Sequence, residues 1–168
     1  MERKPEPHDL LIALLLVQSR LERQGEAFFQ PFGLTSAQFN ILNLLAVHDG
    51  RREQAALVDL LLVGKSSISI VLNRMVRDGL VKREEHPKDR RQVVLVLTPK
   101  GRALWRKISP PYEAGVNQVF GALPAQRRQN FLDDLKTLHD ALKPAATEPG
   151  AEPDERWVPH FLPTKRKS

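Results

Sequence analysis

The sequence contains no cysteine in its 168 residues. This excludes structural disulfides, thiolate metal sites, catalytic thiols and cysteine-based redox sensing. It also lacks a long hydrophobic run. The longest, Leu10 to Val17, has eight residues, against the roughly 20 that cross a bilayer as a helix. Glu2, Glu6 and Asp9 precede that run, and Gln18-Ser19-Arg20-Leu21-Glu22 follows where small residues would mark a signal cleavage site. The chain therefore reads as cytoplasmic, with no membrane partner. Catalytic patterns are absent as well. His8, His48, His86, His139 and His160 show no metal-ligand spacing, and there is neither a His-Glu-x-x-His pattern nor a glycine-flanked serine. Gly64-Lys65-Ser66 is similar to the end of a phosphate-binding loop, but Asp59 stands where the first glycine belongs and the backbone cradle is missing. No enzyme, metal or cofactor is expected.

What is present is the balance of one soluble globular domain, 41% hydrophobic and 27% charged. The net charge of +6 is distributed unevenly. Residues 1–50 carry four basic and six acidic side chains, residues 51–107 carry fourteen and six, and the two remaining segments, 108–143 and 144–168, carry four of each. A partner feels the local field, so the central segment points to a polyanion rather than to general solubility.

Helical spacing of Leu10, Leu11, Leu14, Leu15, Val17, Leu21 and Phe28 predicts a helix over 7–30, too apolar for the surface of a monomer. Thr35 or Ser36 caps a second helix, with Gln38 as capping-box partner if Thr35 leads, and that helix buries Phe39, Leu42, Leu45 and Ala46. After the turn at Asp49-Gly50, a short helix is expected from Gln54 to Leu62. Another follows from Ser66 to Asp78, stopped by Gly79, with Ile68, Val71, Leu72, Met75 and Val76 inward and Ser66, Ser69, Asn73 and Arg77 outward. Residues 80–84 and 92–97 are β-prone runs on either side of a charged loop, Glu85 to Arg91, and predict a two-stranded hairpin. Thr98-Pro99 opens a helix that Pro110-Pro111 should interrupt or kink, and a last helix follows Leu123-Pro124 with Phe131, Leu135, Leu138 and Leu142 on one stripe. The residues beyond Lys143, rich in proline, read as a mobile tail.

Two short helices and then a hairpin with a basic tip is the order of a winged helix-turn-helix. The run Leu57 to Ser69, followed by Asn73 to Arg83, Pro87-Lys88-Asp89-Arg90-Arg91 and Leu97-Thr98-Pro99-Lys100-Gly101, resembles the MarR family of bacterial transcriptional regulators over about residues 8 to 143. The fold class expected is mainly α with a small β-hairpin wing. The resemblance implies a helical dimerisation region at 8–32 and 108–143, a winged helix-turn-helix at 33–107 and the tail at 144–168. It further implies a homodimer on a near-palindromic double-stranded DNA site, acting as a repressor. A winged helix used only for protein interaction is the alternative, and it predicts a neutral wing, unlike Arg90 and Arg91.

In that likeness Lys65, Ser66, Ser67, Ser69, Ile70, Asn73 and Arg74 face the major groove. Asn73 is able to pair with adenine, serines with phosphates or base edges, and Ile70 with a thymine methyl alone. Arg74 serves equally well as a structural tie to Asp89 or another carboxylate. At the wing tip, Asp89-Arg90-Arg91 resembles the family's Asp-x-Arg element, in which the aspartate orients an arginine into the minor groove; Arg91 takes that role, with Lys88 and Arg90 on flanking phosphates. The resemblance also implies a small anionic or phenolic effector held between the lobes, with Arg20, Phe39 and Asn43 as candidate lining residues. Phe39 is as well suited to a place in the core. Without cysteine, the peroxide-sensing branch of the family is no guide to this chain.

Overall fold

The computed structural model describes residues 4–60, 65–89 and 91–142, with only the backbone described at 58–60 and 65–67. The expected tail and residues 61–64, where the expected third helix ends, lie outside the described residues. Helix α1 (Pro7–Phe29) begins at a reciprocal Glu6/Asp9 capping box with proline at its first position, so it starts where its sequence satisfies the free amides. It runs into one 3-10 turn, Gln30–Phe32, which ends at Gly33 in the left-handed region, φ 69°. Helix α2 (Ser36–Val47) opens on the capping box read from the sequence, Gln38 N donating to Thr35 Oγ1 at 3.2 Å and Thr35 N to Gln38 Oε1 at 2.9 Å.

Helix α3 (Gln54–Leu60) and helix α4 (Lys65–Arg77) then precede the strands β2 (Val81–Glu85) and β3 (Val93–Leu97). The hairpin expectation needs one addition. A third strand, β1 (Arg51–Glu53), pairs antiparallel with β3 in the register Arg51 opposite Val96, so the sheet order is β1-β3-β2. Three successive charged residues carry no strand pattern. They pair because the turn at Asp49 and Gly50, φ 55° and 82°, delivers the chain to the open edge of β3, and main-chain bonding there is indifferent to side chain. Leu97 N donates to Gly50 O at 2.7 Å and begins the pairing.

Helix α5 (Pro99–Phe120) continues through Pro110 and Pro111, so of the interruption or kink expected there the interruption does not occur. The two missing amides free the carbonyls of Arg106 and Lys107. Those residues and both prolines are exposed, so water takes the place of the lost donors. Helix α6 (Ala125–Ala141) completes the described chain and buries none of its residues.

The core is built from α2, α3, α4 and the sheet, with Ile41, Leu42, Leu44, Leu45, Leu57, Ile68, Leu72, Met75 and Leu95 essentially inaccessible. A second layer is aromatic. Phe29 stacks on Phe39 at 4.6 Å between centroids, and Tyr112 of α5 lies 4.8 Å from Phe39 and 5.8 Å from Phe29. Beside it, Trp105 Nε1 donates to the buried Asn43 Oδ1 at 2.9 Å. These contacts tie the end of α1 and the first half of α5 to α2. The junction between residues 107 and 108, taken above as a region boundary, therefore lies inside a continuous helix whose Ile108 is fully buried.

The start of α5 packs tightly on the end of α4. Thr98 Oγ1 accepts from Gly101 N at 3.0 Å and lies 2.7 Å from the carbonyl of Gly79 as donor, while Lys100 Nζ donates to Asp78 O at 2.7 Å. A β-carbon at Gly101 would sit 2.1 Å from the Leu80 carbonyl oxygen, which is backbone and fixed. Alanine ordinarily favours a helix over glycine by about 1 kcal/mol; here the overlap reverses the sign. Gly101→Ala is expected to lower unfolding stability by about 1–3 kcal/mol, read from the urea midpoint, and an unchanged or raised midpoint would refute the contact.

Candidate nucleic-acid interface

Two surfaces of the lobe are left uncovered by its core. The first is the outer face of α4. Ile68, Leu72 and Met75 are buried at the spacing of one helical stripe, and Ser69, Ile70, Asn73, Arg74 and Arg77 are exposed. Ile70 is 73% exposed, an unusual position for a branched apolar side chain with a core within reach. Lys65 falls on the first turn with Ser66 and Ser67, whose backbone alone is described. The helix ends in a left-handed glycine, Gly79 at φ 70°, with Leu80 N returning to Met75 O at 2.9 Å. Arg74 makes an exposed pair with Asp78 at 3.7 Å, so its carboxylate is on its own helix rather than Asp89. Such a pair holds loosely in water and leaves the guanidinium available.

The second surface is the tip of the wing between β2 and β3. Asp89 and Arg91 are bound in a fork: Arg91 Nε donates to Asp89 Oδ1 at 3.1 Å, Arg91 Nη2 to Oδ2 at 3.2 Å, and Arg91 N to Oδ1 at 3.1 Å. The Arg91 side chain is nevertheless 91% exposed. Asp89 thus fixes the direction of an arginine that remains in solvent. Bonding to the Arg91 side chain and then to its amide lowers the Asp89 pKa. Lys88 is exposed beside them, and Arg90 lies outside the described residues.

The sequence sets His86 apart from the other histidines by nothing but its neighbours, since none of the five has metal-ligand spacing. The structure makes it the organiser of the tip: its Nδ1 accepts from Lys88 N at 3.3 Å and Asp89 N at 3.2 Å, and its Nε2 lies 3.4 Å from Glu53 Oε1. The only cue in the sequence was its place at the start of the Pro87 turn, which many residues would fill as well.

The three candidate effector residues lie in different settings. Phe39 has no exposed surface and belongs to the core, the Asn43 carboxamide oxygen is taken by Trp105, and Arg20 is exposed on α1. A crevice of about 580 Å³ exists elsewhere, at the junction of α1, α2 and α4, lined by residues that include Glu26, Gln30, Thr35, Gln38 and Arg74. Among the described residues no group of three histidines or carboxylates is placed to hold a metal ion, and no helix is long and apolar enough to cross a membrane.

A helix-turn-helix order, a three-stranded sheet with a charged tip and long flanking helices define a winged-helix protein. Residues 32–92 match the model of the MarR family. The crystal structure of AbsC, a MarR family transcriptional regulator from Streptomyces coelicolor, superposes with a TM-score of 0.75 at 30% identity, over 84% of this chain and 99% of AbsC. The HTH-type transcriptional repressor YetL of Bacillus subtilis is 27% identical over 135 residues, 80% of this chain and 81% of YetL. BpsR of Bordetella bronchiseptica, whose DNA binding is regulated by 6-hydroxynicotinic acid, has a TM-score of 0.61 at 27% identity, covering 76% of this chain and 99% of BpsR. The chain belongs to the MarR family of transcriptional regulators.

The fork at the wing tip has a measurable signature. A carboxylate bonded to a guanidinium resists protonation, so the Asp89–Arg91 contact persists through the ordinary aspartate range and is lost only as pH falls through the lowered value. In an NMR titration the Asp89 carboxyl is expected to titrate below an ordinary aspartate and to move back up in Arg91→Ala. A value unmoved by that substitution would separate the two residues.

Proposed function

We propose that this chain is a homodimeric repressor that reads a near-palindromic double-stranded DNA operator and is released by a small anionic or phenolic molecule. The observation that carries the reading is the pairing of an uncovered polar face on α4 with a wing arginine that Asp89 aims into solvent. An α-helix of this kind fits the major groove, and a planar guanidinium fits a narrow A·T-rich minor groove with its deep negative potential. On this reading Ser69, Ile70, Asn73 and Arg74, together with Lys65, Ser66 and Ser67, meet bases and phosphates, while Arg91 enters the minor groove and Lys88 and Arg90 hold its rim.

Dimer formation answers a cost that the single chain leaves standing. On α1, Leu10, Leu11, Leu14, Leu15, Leu16 and Val17 are each 42–61% exposed, and Val119 and Phe120 of α5 and Phe131, Leu132 and Leu138 of α6 are likewise uncovered. Monomeric proteins rarely expose apolar patches beyond a few hundred Å², and a second copy supplies a self-complementary cover. The regulation of BpsR by 6-hydroxynicotinic acid supports a ligand-responsive reading. A ligand acts by preferring one lobe spacing over another, since equal affinity for both shifts nothing.

The deciding experiment is selection of bound duplexes from random DNA at fixed, near-physiological salt, followed by sequencing. Enrichment of a near-palindrome is expected; binding without enrichment that vanishes with added salt would mark a merely basic protein. Against the selected site, Arg91→Ala should lose about 1–3 kcal/mol while the dimer survives, and an unchanged affinity would remove the wing from the interface. Leu11 and Leu15, one turn apart on α1, test the assembly. The double substitution Leu11→Glu/Leu15→Glu should sediment as a folded monomer, whereas an intact dimer would place the interface elsewhere.

A further inference from the structure

The wing tip depends on a ring that contacts nothing outside the protein. His86 follows β2, and its side chain is only 22% exposed. Two main-chain amides, those of Lys88 and Asp89, donate to Nδ1. A nitrogen that accepts carries no proton, so the neutral ring holds its proton on Nε2, directed at Glu53 Oε1 on β1. His86 N in turn donates to Gln92 O at 3.1 Å and Gln92 N to Asp89 O at 2.9 Å, closing the tip on itself. The ring therefore fastens the turn to the outer strand of the sheet. One of its two donors is the amide of the residue whose carboxylate grips Arg91.

We propose that His86 is the positioning residue of the wing: its neutral ring fixes the backbone at Lys88 and Asp89 so that Asp89 presents Arg91, and a second proton on Nδ1 releases the tip. The proposal rests on the reading that Arg91 contacts DNA and adds to it a residue that sets the strength of that contact. Protonation would turn an acceptor into a donor facing two other donors, and both amides would lose their partner. Two carboxylates stand beside the ring: Glu53 faces Nε2 from β1, and Asp89 is the residue whose amide donates to Nδ1. Glu85, next in the chain, is exposed to solvent.

The test uses the full-length protein and its selected operator, with affinity measured at pH 7.5 and 5.5 and constant ionic strength. His86→Phe keeps the ring and removes the acceptor; His86→Asn keeps an acceptor oxygen at the δ position and does not titrate. At pH 7.5, His86→Phe should weaken binding on the order of tenfold, the worth of about two neutral hydrogen bonds, and His86→Asn should stay near wild type. Between the two pH values the wild type should lose more affinity than His86→Asn, a comparison that cancels the other histidines. In an Arg91→Ala background the His86→Phe effect should largely disappear. An equal effect with and without Arg91, or an equal pH response in wild type and His86→Asn, would overturn the proposal. Absence of any sequence-selective binding by the wild type would instead overturn the DNA reading beneath it.

Discussion

Everything in the described chain is arranged around the closed contact of Phe29, Phe39 and Tyr112. Phe39 is fully buried, and its two neighbours arrive from the end of α1 and the middle of α5, elements that are otherwise poorly covered. Aromatic rings bring large apolar area with few rotatable bonds, so a small cluster holds two long helices at a defined angle with little entropic loss. The Trp105–Asn43 bond adds direction to what burial alone leaves free to slide, because a buried carboxamide without its donor is costly. The winged lobe and the helical arms thereby meet at this cluster as well as where the start of α5 packs on the end of α4.

Much of this was legible because the decisive signals are local. A capping box uses residues three apart, a stop glycine needs only its own φ, and an amphipathic stripe repeats every turn; so α1, α2, α4 and both hairpin strands appear within a residue or two of their expected bounds. The misses share a different physics. Strand β1 exists because β3 offers an edge, which no pattern in Arg51-Arg52-Glu53 announces. Pro110 and Pro111 stay inside α5 because the carbonyls they orphan face water, and sidedness depends on packing that forms elsewhere. The partners of Phe39 and Asn43, namely Phe29, Tyr112 and Trp105, are likewise beyond the reach of any local pattern.

The site shows the same division. Asp89 and Arg91 are two residues apart, so their fork could be anticipated from the motif, and the structure gives it in three hydrogen bonds. His86 could not be ranked above the other histidines, since its role comes from two amides and a carboxylate on another strand. Its importance lies in the order of dependence at the tip. Arg91 is aimed by Asp89, whose amide is held by His86, and His86 is steadied from β1. The strand that the sequence concealed is therefore the one that supports the exposed Arg91.

This chain of support bears on how a small lobe could reach useful specificity. The uncovered face of α4 offers a few side chains suited to bidentate base contacts, Asn73 to adenine and Arg74 or Arg77 to guanine, and one suited to a methyl group, Ile70. Each good base contact discriminates by about 1–3 kcal/mol, and phosphate contacts add affinity without selecting sequence. A single lobe is then a weak reader. Two lobes joined by a shared helical core bind the second half-site at high effective concentration, but only where the spacing of the lobes matches that of the half-sites. On the proposed dimeric reading, the energy that makes the pair selective lies in geometry, in the contacts around Phe39 and in the aim of Arg91. Under the same proposal, a ligand that favours a different spacing would remove the second half-site, with a leverage bounded by its differential affinity for the two spacings. If the uncovered apolar faces of α1, α5 and α6 form the interface between two copies, its stiffness would set how sharply one spacing is preferred over another.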